Sequence, residues 1–352
     1  MMRIFVTGAS GWIGSAVVPE LIGAGHQVLG LARSDASAEA IAAAGAEVLR
    51  GGLEDLDILR AGAASSDGVI HLAFIHDFTR FEASIQTDAR AIEAIGAALE
   101  DSCKPLVIAS GTPALPGCVA TERDESPSDG PAAGRGANAR AALDMTARGV
   151  RTSVVRLPRS VHGKGDHGFI AILTGIARDK GVSGYVGDGS NRWPALHVLD
   201  AARLFRLAVE KAPAGSVLHA VADEGVPIRD IAAVIGRHLN LPTAPLPAED
   251  FGFLGMILAV DQPASSILTR ELLGWQPVQV GLIEDLDKGH YRTPVESALR
   301  SINSFFCLSM LSAMCFMKRR KSSFSSLLKP ARFLSSTNRT TARIFCATLL
   351  PF

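Results

Sequence analysis

Thr7-Gly8-Ala9-Ser10-Gly11-Trp12-Ile13-Gly14 follows the apolar run Arg3 to Thr7 and leads into a stretch rich in Ala and Val, the setting of a strand, a tight turn and a helix. In that setting each glycine has its own reason. Gly8 permits the turn, Gly11 lets the backbone approach a pyrophosphate, and Gly14 lets helix and strand pack closely. The helix N-terminus then offers free amides and the positive end of its dipole to phosphate oxygens. Ser10, Trp12 and Ile13 share the turn and are assigned with the three glycines to a cofactor site. A structural glycine turn without ligand is the alternative, and the position, spacing and following units argue against it.

Outward from this turn, runs of Val, Ile and Leu predict strands at Arg3 to Thr7, Gln27 to Ala32, Glu47 to Leu49, Gly68 to Ala73, Pro105 to Ala109, Arg151 to Leu157 and Val217 to Ala222. Continuous apolar runs of this kind suit parallel strands buried on both faces. Helical stretches lie between them, Trp12 to Ile22 and Phe81 to Leu99 among them, the latter with Ile85, Ile92, Ile95 and Leu99 at helical spacing. Alternation of this kind predicts an α/β fold, a doubly wound parallel sheet of the NAD(P)-binding Rossmann type. After Leu157 the elements shorten between Gly and Pro residues. Residues 1–158 and 198–224 are assigned to the dinucleotide-binding domain, and 159–197 with 225–292 to a small C-terminal substrate-binding lobe. Phe251 to Val260 is apolar or glycine throughout and predicts a core helix, with a homodimer contact as the alternative.

With 352 residues, 47% hydrophobic, and 35 basic against 35 acidic side chains, the chain has material for a large core and no charge bias toward nucleic acid or anionic membrane. Its start lacks the pattern of a secretory signal, so a cytoplasmic protein is expected. Five cysteines show no CxxC spacing or zinc-type histidine pattern, so no metal is expected. Residues 293–352 follow other rules. Glu296 is their one acidic residue, and Ser, Lys and Arg are frequent. The apolar part, Ser304 to Met317, falls short of the roughly 20 residues a spanning helix needs. A poorly ordered appendage, or a misread end of the reading frame, is expected in preference to a membrane anchor.

The end of the second strand commonly carries Asp or Glu for the adenosine ribose of NAD. Here it reads Ala32-Arg33-Ser34. Arg33 suits a 2′-phosphate through charge-assisted hydrogen bonds and Ser34 adds a hydroxyl, which favours NADP, although the nearby Asp35 keeps NAD possible. A solvated surface arginine is the alternative reading of Arg33. His76-Asp77 sits in the loop after the fourth strand, at the carboxyl edge where ligands bind such sheets. Imidazole has a pKa suited to general acid work, so His76 is a candidate proton donor, with a surface or loop-stabilising role as the alternative. His162 and His167 flank a Gly-containing loop able to close over substrate, Trp193 and His197 are candidate pocket residues with burial in the lobe as the alternative for Trp193, and His71 inside a strand reads as a satisfied core residue.

The turn Thr7-Gly8-x-x-Gly11-x-x-Gly14, Val69-Ile70-His71-Leu72-Ala73, Val155-Arg156-Leu157-Pro158 with Val161-His162-Gly163, Val186-Gly187-Asp188-Gly189 through His197-Val198-Leu199-Asp200, and Leu273-Gly274-Trp275-Gln276-Pro277 together resemble the extended, atypical short-chain dehydrogenase/reductase superfamily, in its NAD-dependent epimerase/dehydratase family. The likeness covers residues 3 to 292. It implies that Leu72, Ala73 and Phe74 line the cofactor, that Leu53 lies near the adenine and that Pro158 packs beside the nicotinamide. It also places Thr112 in the superfamily's Ser/Thr slot. The Tyr and the Lys four positions on are missing. Tyr185 and Tyr291 are the only tyrosines, neither has such a lysine, and the helix expected from Pro131 to Arg148 offers Arg135-Gly136-Ala137-Asn138-Ala139 instead. Arg135 can stabilise an oxyanion but is a poor proton donor. The expectation is an NADP(H)-dependent oxidoreductase acting on a small carbonyl compound. The rival expectation is a redox-inactive NADP(H)-binding sensor or scaffold.

Overall fold

The computed structural model describes residues 1–77, 80–115, 117–128 and 133–292. In chain order the strands among them are β1 (Arg3–Thr7), β2 (Gln27–Ala32), β3 (Glu47–Arg50), β4 (Gly68–His71), β5 (Pro105–Gly111), β6 (Arg151–Leu157), β7 (Ser160–His162), β8 (Ser183–Tyr185), β9 (Arg192–His197), β10 (Ser216–His219), β11 (Asp223–Pro227) and β12 (Thr243–Pro245). The helices are α1 (Gly14–Gly23), α2 (Asp35–Ala43), α3 (Leu56–Ala64), α4 (Phe81–Ala98), α5 (Ala133–Asp144), α6 (Phe169–Lys180), α7 (Val198–Lys211), α8 (Ile228–Leu239), α9 (Leu254–Leu258), α10 (Ile267–Leu273) and α11 (Leu282–Asp287).

The main sheet has seven strands in the order β10-β6-β5-β4-β1-β2-β3, every neighbouring pair parallel. Alternate side chains of a strand point to opposite faces. Ile4 and Val6 therefore pack with Val17 and Leu21 of α1, Ile41 of α2 and Phe205 of α7, whereas Phe5 packs with Leu59 of α3, Ile92 and Ile95 of α4 and Ala142 of α5. Burial of each such large apolar side chain contributes about 2 kcal/mol. The winding direction reverses between β1 and β4, and in open sheets ligands bind outside the carboxyl ends of the strands at such a reversal.

The remaining strands form two small sheets, β11-β9-β7 and β12-β8. Trp193, Ile231, Ile235, Phe251, Leu254 and Leu282 form an apolar cluster there with α6, α8 and α11. Trp193 is fully buried in that cluster, in keeping with the alternative that its place is in the core of the lobe. The apolar run Phe251 to Val260 is not one helix. A 3-10 turn, Ala248–Phe251, is cut off by Gly252 at φ +57°, and α9 starts afresh. A Cβ on Gly255 would sit 2.0 Å from the Ala248 carbonyl oxygen, so the two short pieces are packed backbone to backbone.

Several expected boundaries shift for local reasons. α1 starts at Gly14, so Trp12 and Ile13 stay in the turn. β4 pairs only as far as His71, and β10 ends at His219. α5 passes into a 3-10 turn, Met145–Arg148, closed by Gly149 at φ +74°. Pro131 and the tail from 293 lie outside the described residues. Among those described, no helix is long and apolar enough to cross a membrane.

Candidate active site

The turn after β1 is built on close backbone contact. Gly8 has φ +68°, and a Cβ there would lie 2.8 Å from the amide nitrogen of Ala73, so the strand end beyond β4 leans directly on it. A Cβ on Gly14 would lie 2.1 Å from the Gly8 carbonyl oxygen. Gly11 differs, because its Cβ would meet only that same oxygen, at 3.2 Å. Its outer side is open, and it is there that a pyrophosphate needs room. Ser10 is exposed at the same rim. The cradle therefore fits a dinucleotide cofactor, which the amides between Gly11 and the start of α1 would meet, since Gly11, Ser15, Ala16 and Val17 already donate within the turn. Trp12 turns away from the rim, and its Nε1 donates to the Val161 carbonyl at 2.8 Å, tying the glycine turn to β7.

At the adenosine end, Ser34 caps α2, its Oγ accepting from the Ser37 amide at 3.2 Å. Arg33 is exposed beside it. Parallel register brings Ala32 of β2 opposite Arg50 of β3. Arg50 then donates to the Ser34 carbonyl at 2.8 Å and to Asp35 Oδ1 at 2.6 Å. Arg50 escaped the reading of the sequence, because only the register of two strands puts it next to Arg33. It also pairs with the Asp35 carboxylate. Leu53 follows, half-buried, in the next loop.

Beyond β4 a buried polar chain runs from Thr7 to α5. The Ala73 amide donates to Thr7 Oγ1 at 3.2 Å, and Thr7 Oγ1 lies 2.9 Å from His71 Nδ1. His71 Nε2 lies 3.1 Å from Asp88 Oδ1, while Asp88 Oδ2 accepts from Arg135 Nη1 at 2.9 Å and Asn138 Nδ2 at 2.8 Å. These partners assign the tautomer: Thr7 donates to Nδ1 and Nε2–H donates to the carboxylate. Burial pushes the Asp88 carboxyl upward, but the His71 hydrogen bond and the Arg135 charge outweigh it and hold the group below the usual range. His71 is thus a satisfied interior residue.

Arg135, on α5, also donates to the Ala109 carbonyl at 3.0 Å and lies over the Phe74 ring, Cζ 4.2 Å from its centroid. His76 packs edge-on against the same ring at 5.3 Å between centroids. Its outer edge is exposed. Loss of water on its inner side, then the Arg135 charge, lower its pKa below the ordinary histidine value. Leu72, Ala73 and Phe74 are half-buried between this group and the glycine turn.

Thr112 stands just past β5 and is buried. Gln262 Nε2 donates to its backbone carbonyl and, at 3.2 Å, to its Oγ1. Gln262 Oε1 in turn accepts from Arg159 Nε at 2.6 Å. Pro158 is buried at the end of β6, one residue before that arginine. Neither Gln262 nor Arg159 stood out in the sequence, since their link to Thr112 spans distant segments.

The remaining histidines separate by burial. His162 is fully buried, with Nδ1 2.9 Å from Asp285 Oδ2, so it does not belong to a closing loop as expected. His197 is the N-cap of α7, its Nδ1 accepting from the Leu199 amide at 3.2 Å. His167 is exposed and packs edge-on against Trp12. Tyr291 donates from its hydroxyl to Asp166 Oδ2 at 2.9 Å, and burial with that carboxylate pushes its pKa up. Among the described residues no group of His, Cys, Asp and Glu has the arrangement of a metal site.

A glycine turn at the reversal point of a doubly wound sheet, with polar side chains gathered at the carboxyl ends of β4, β5 and β6, defines a dinucleotide-binding α/β protein. Residues 4–220 match the model of the NAD dependent epimerase/dehydratase family, and the chain belongs to that family. An uncharacterized protein of Saccharomyces cerevisiae is 50% identical over 292 residues, covering 81% of this chain and 98% of the yeast protein. A 4-hydroxy-2-methyl-3-oxo-4-farnesyl-3,4-dihydroquinoline-1-oxide ketoreductase of Stigmatella aurantiaca is 28% identical over 243 residues, 66% of this chain and 72% of its own. In fold, the chain is similar to dTDP-glucose 4,6-dehydratase of Streptomyces venezuelae, solved with NAD bound, at a TM-score of 0.68 and 19% identity, over 82% of this chain and 96% of that one.

Proposed function

We propose that this protein is an NADP(H)-dependent oxidoreductase that reduces a small carbonyl compound without a Tyr-Lys pair. The observation that carries the reading is the glycine turn at the sheet's reversal point, with Thr112, His76 and Arg135 all on segments near the carboxyl ends of β4 and β5. Family membership supplies the nicotinamide cofactor. Arg33, exposed at the end of β2, with Arg50 on the neighbouring strand, favours the 2′-phosphate of NADP over the bare ribose of NAD. The ketoreductase relative supports carbonyl chemistry.

A bound nicotinamide supplies the hydride. The chain's own residues hold the substrate oxygen and move the proton. Because Gln262 Nε2 donates to Thr112 Oγ1, the threonine's own O–H is left to donate to a substrate oxygen. Arg135, fixed by Asp88 and Ala109, contributes positive potential beside it. His76 is the proton source. Tyr291 does not serve, because its hydroxyl is committed to Asp166 in the interior.

The test is consumption of NADPH with a panel of small aldehydes and ketones, alongside direct titration of NADPH and NADH. Turnover with a preference for NADPH is expected. Tight NADPH binding with no turnover across the panel replaces this reading with the sensor or scaffold, which the missing Tyr-Lys pair favours.

A further inference from the structure

Most arginines near the carboxyl edge of the main sheet are answered by acidic groups. Asp88 answers Arg135, Asp261 answers Arg192 at 2.8 Å, and Arg156 donates to the Asp124 carbonyl with Glu122, Asp124 and Glu125 in its field. Arg159 is different. It is half-buried two residues past β6, and its one hydrogen bond is from Nε to Gln262 Oε1. Among the described residues it makes no ion pair, and Nη1 and Nη2 have no partner, yet neither is sealed in the interior. Burial lowers its pKa with no acidic neighbour opposing. A guanidinium that has lost part of its water without gaining a counter-charge is costly to keep. Its planar fork matches a carboxylate in two parallel hydrogen bonds.

The position of this free fork is set by the residue it leans on. Gln262 holds Arg159 with one end of its amide and Thr112 Oγ1 with the other. Two hydrogen bonds and one amide group separate Nε of Arg159 from the threonine oxygen, so the distance is at most about 8 Å. We propose that Arg159 is a specificity-determining residue that binds a carboxylate of the substrate, so that the substrate class is an oxo acid whose carbonyl lies a few bonds from its acid group. This rests on the reading that Thr112 holds the carbonyl oxygen. Gln262 is then a positioning residue, fixing the spacing between the two ends of the substrate.

The experiment uses the full chain loaded with NADPH and a panel of 2-oxo and 3-oxo acids, each compared with its methyl ester. Binding is measured by calorimetry and turnover by NADPH consumption, in the unmodified protein, Arg159→Gln and Arg159→Lys. The expected result is a preference of about tenfold or more for an acid over its ester, lost in Arg159→Gln and partly kept in Arg159→Lys. Melting temperature without substrate reports folding, and in Arg159→Gln it stays level or rises as the uncompensated charge is removed. An acid preference that survives in Arg159→Gln overturns the assignment, as does an unmodified protein that shows no preference or binds neither form. If acids bind with an Arg159-dependent preference and nothing is reduced, the anion site stands and the reductase reading fails. If acids and esters are reduced equally well, the reductase stands and the anion site fails.

Discussion

Asp88 Oδ1 lies 3.1 Å from His71 Nε2, joining a residue of α4 to the last residue of β4 in the interior. Through His71 the carboxylate reaches Thr7, the last residue before the glycine turn, and through its other oxygen it holds Arg135 and Asn138 on α5. One buried acid thus connects the glycine turn with the N-terminal half of α5.

Replacing that acid should be costly. Asp88→Asn keeps the shape but removes the counter-charge of Arg135, and removing one partner of a buried pair costs about 3–5 kcal/mol. Arg135 is 22% exposed in its side chain, so solvent moderates the loss to about 2–3 kcal/mol. Urea denaturation of the variant measures it. A change below about 1 kcal/mol would mean that the network is not coupled as its distances indicate.

Gly14 offers a sharper steric test. The nearest atoms to an added Cβ are backbone, the Gly8 oxygen at 2.1 Å and Ala9 at 2.8 Å, and no rotamer change relieves them. Gly14→Ala should destabilise the protein by about 2–3 kcal/mol and weaken dinucleotide binding, because the turn must move to admit the methyl group. Nucleotide titration and a thermal melt on the same sample check both effects.

At the adenosine end, Arg33→Ala and Arg50→Ala should each weaken NADPH binding about tenfold while leaving NADH nearly unchanged, since only the former carries the phosphate that charge-assisted bonds recognise. Fluorescence titration with both nucleotides decides. Equal losses for the two would assign these arginines to the shape of the loop and not to the phosphate.

Acid should unfold the protein in two stages. Burial, with Arg156 adding to it, outweighs Glu122 and the Ser265 carbonyl and lowers His219 to about 4. The unfolded chain therefore takes up that proton first. Stability from His219 is complete above about pH 6.5 and declines as pH falls toward 4, with a slope of up to about 1.4 kcal/mol per unit. Asp88 has a depressed pKa, so its share is present above the usual carboxylate value and is lost only at lower pH, as the pH passes through its folded value. Denaturation across pH 3–8 reads the profile, and His219→Gln should flatten its upper part. A flat profile in the unmodified protein between pH 6.5 and 4 contradicts this account.

β1 and β2 could be read to the residue because their runs are nearly continuous in apolar residues, the pattern of a parallel strand covered on both faces. The glycine turn was equally legible, since its spacing is set by local backbone geometry. Asp88 and Gln262 were not. Their partners lie 17 and 150 residues away, and no local pattern announces a hydrogen bond made across the fold. Phe251 to Val260 misled for the opposite reason: composition suggested one helix, and Gly252 at φ +57° ends the first turn before α9 begins.

The proton donor is the point on which the reductase reading turns. His76 sits beside Phe74, in the field of Arg135, on the segment that leaves the carboxyl end of β4. A lowered pKa makes its protonated form scarce at neutral pH but a better donor when present. Reduction that depends on it should therefore accelerate as pH falls from 7 toward and below 6.5. His76→Gln should slow turnover by about 10²-fold to 10⁴-fold, remove that pH dependence and leave NADPH affinity nearly intact. Thr112→Ala should also slow turnover, through loss of the hydrogen bond to the substrate oxygen, but keep the pH dependence, because the donor is still present. Pre-steady-state reduction rates between pH 5.5 and 8 separate the two variants. If His76→Gln retains both rate and profile while Tyr185→Phe abolishes activity, the proton comes from the segment around β8, and His76 is a loop residue without a chemical role.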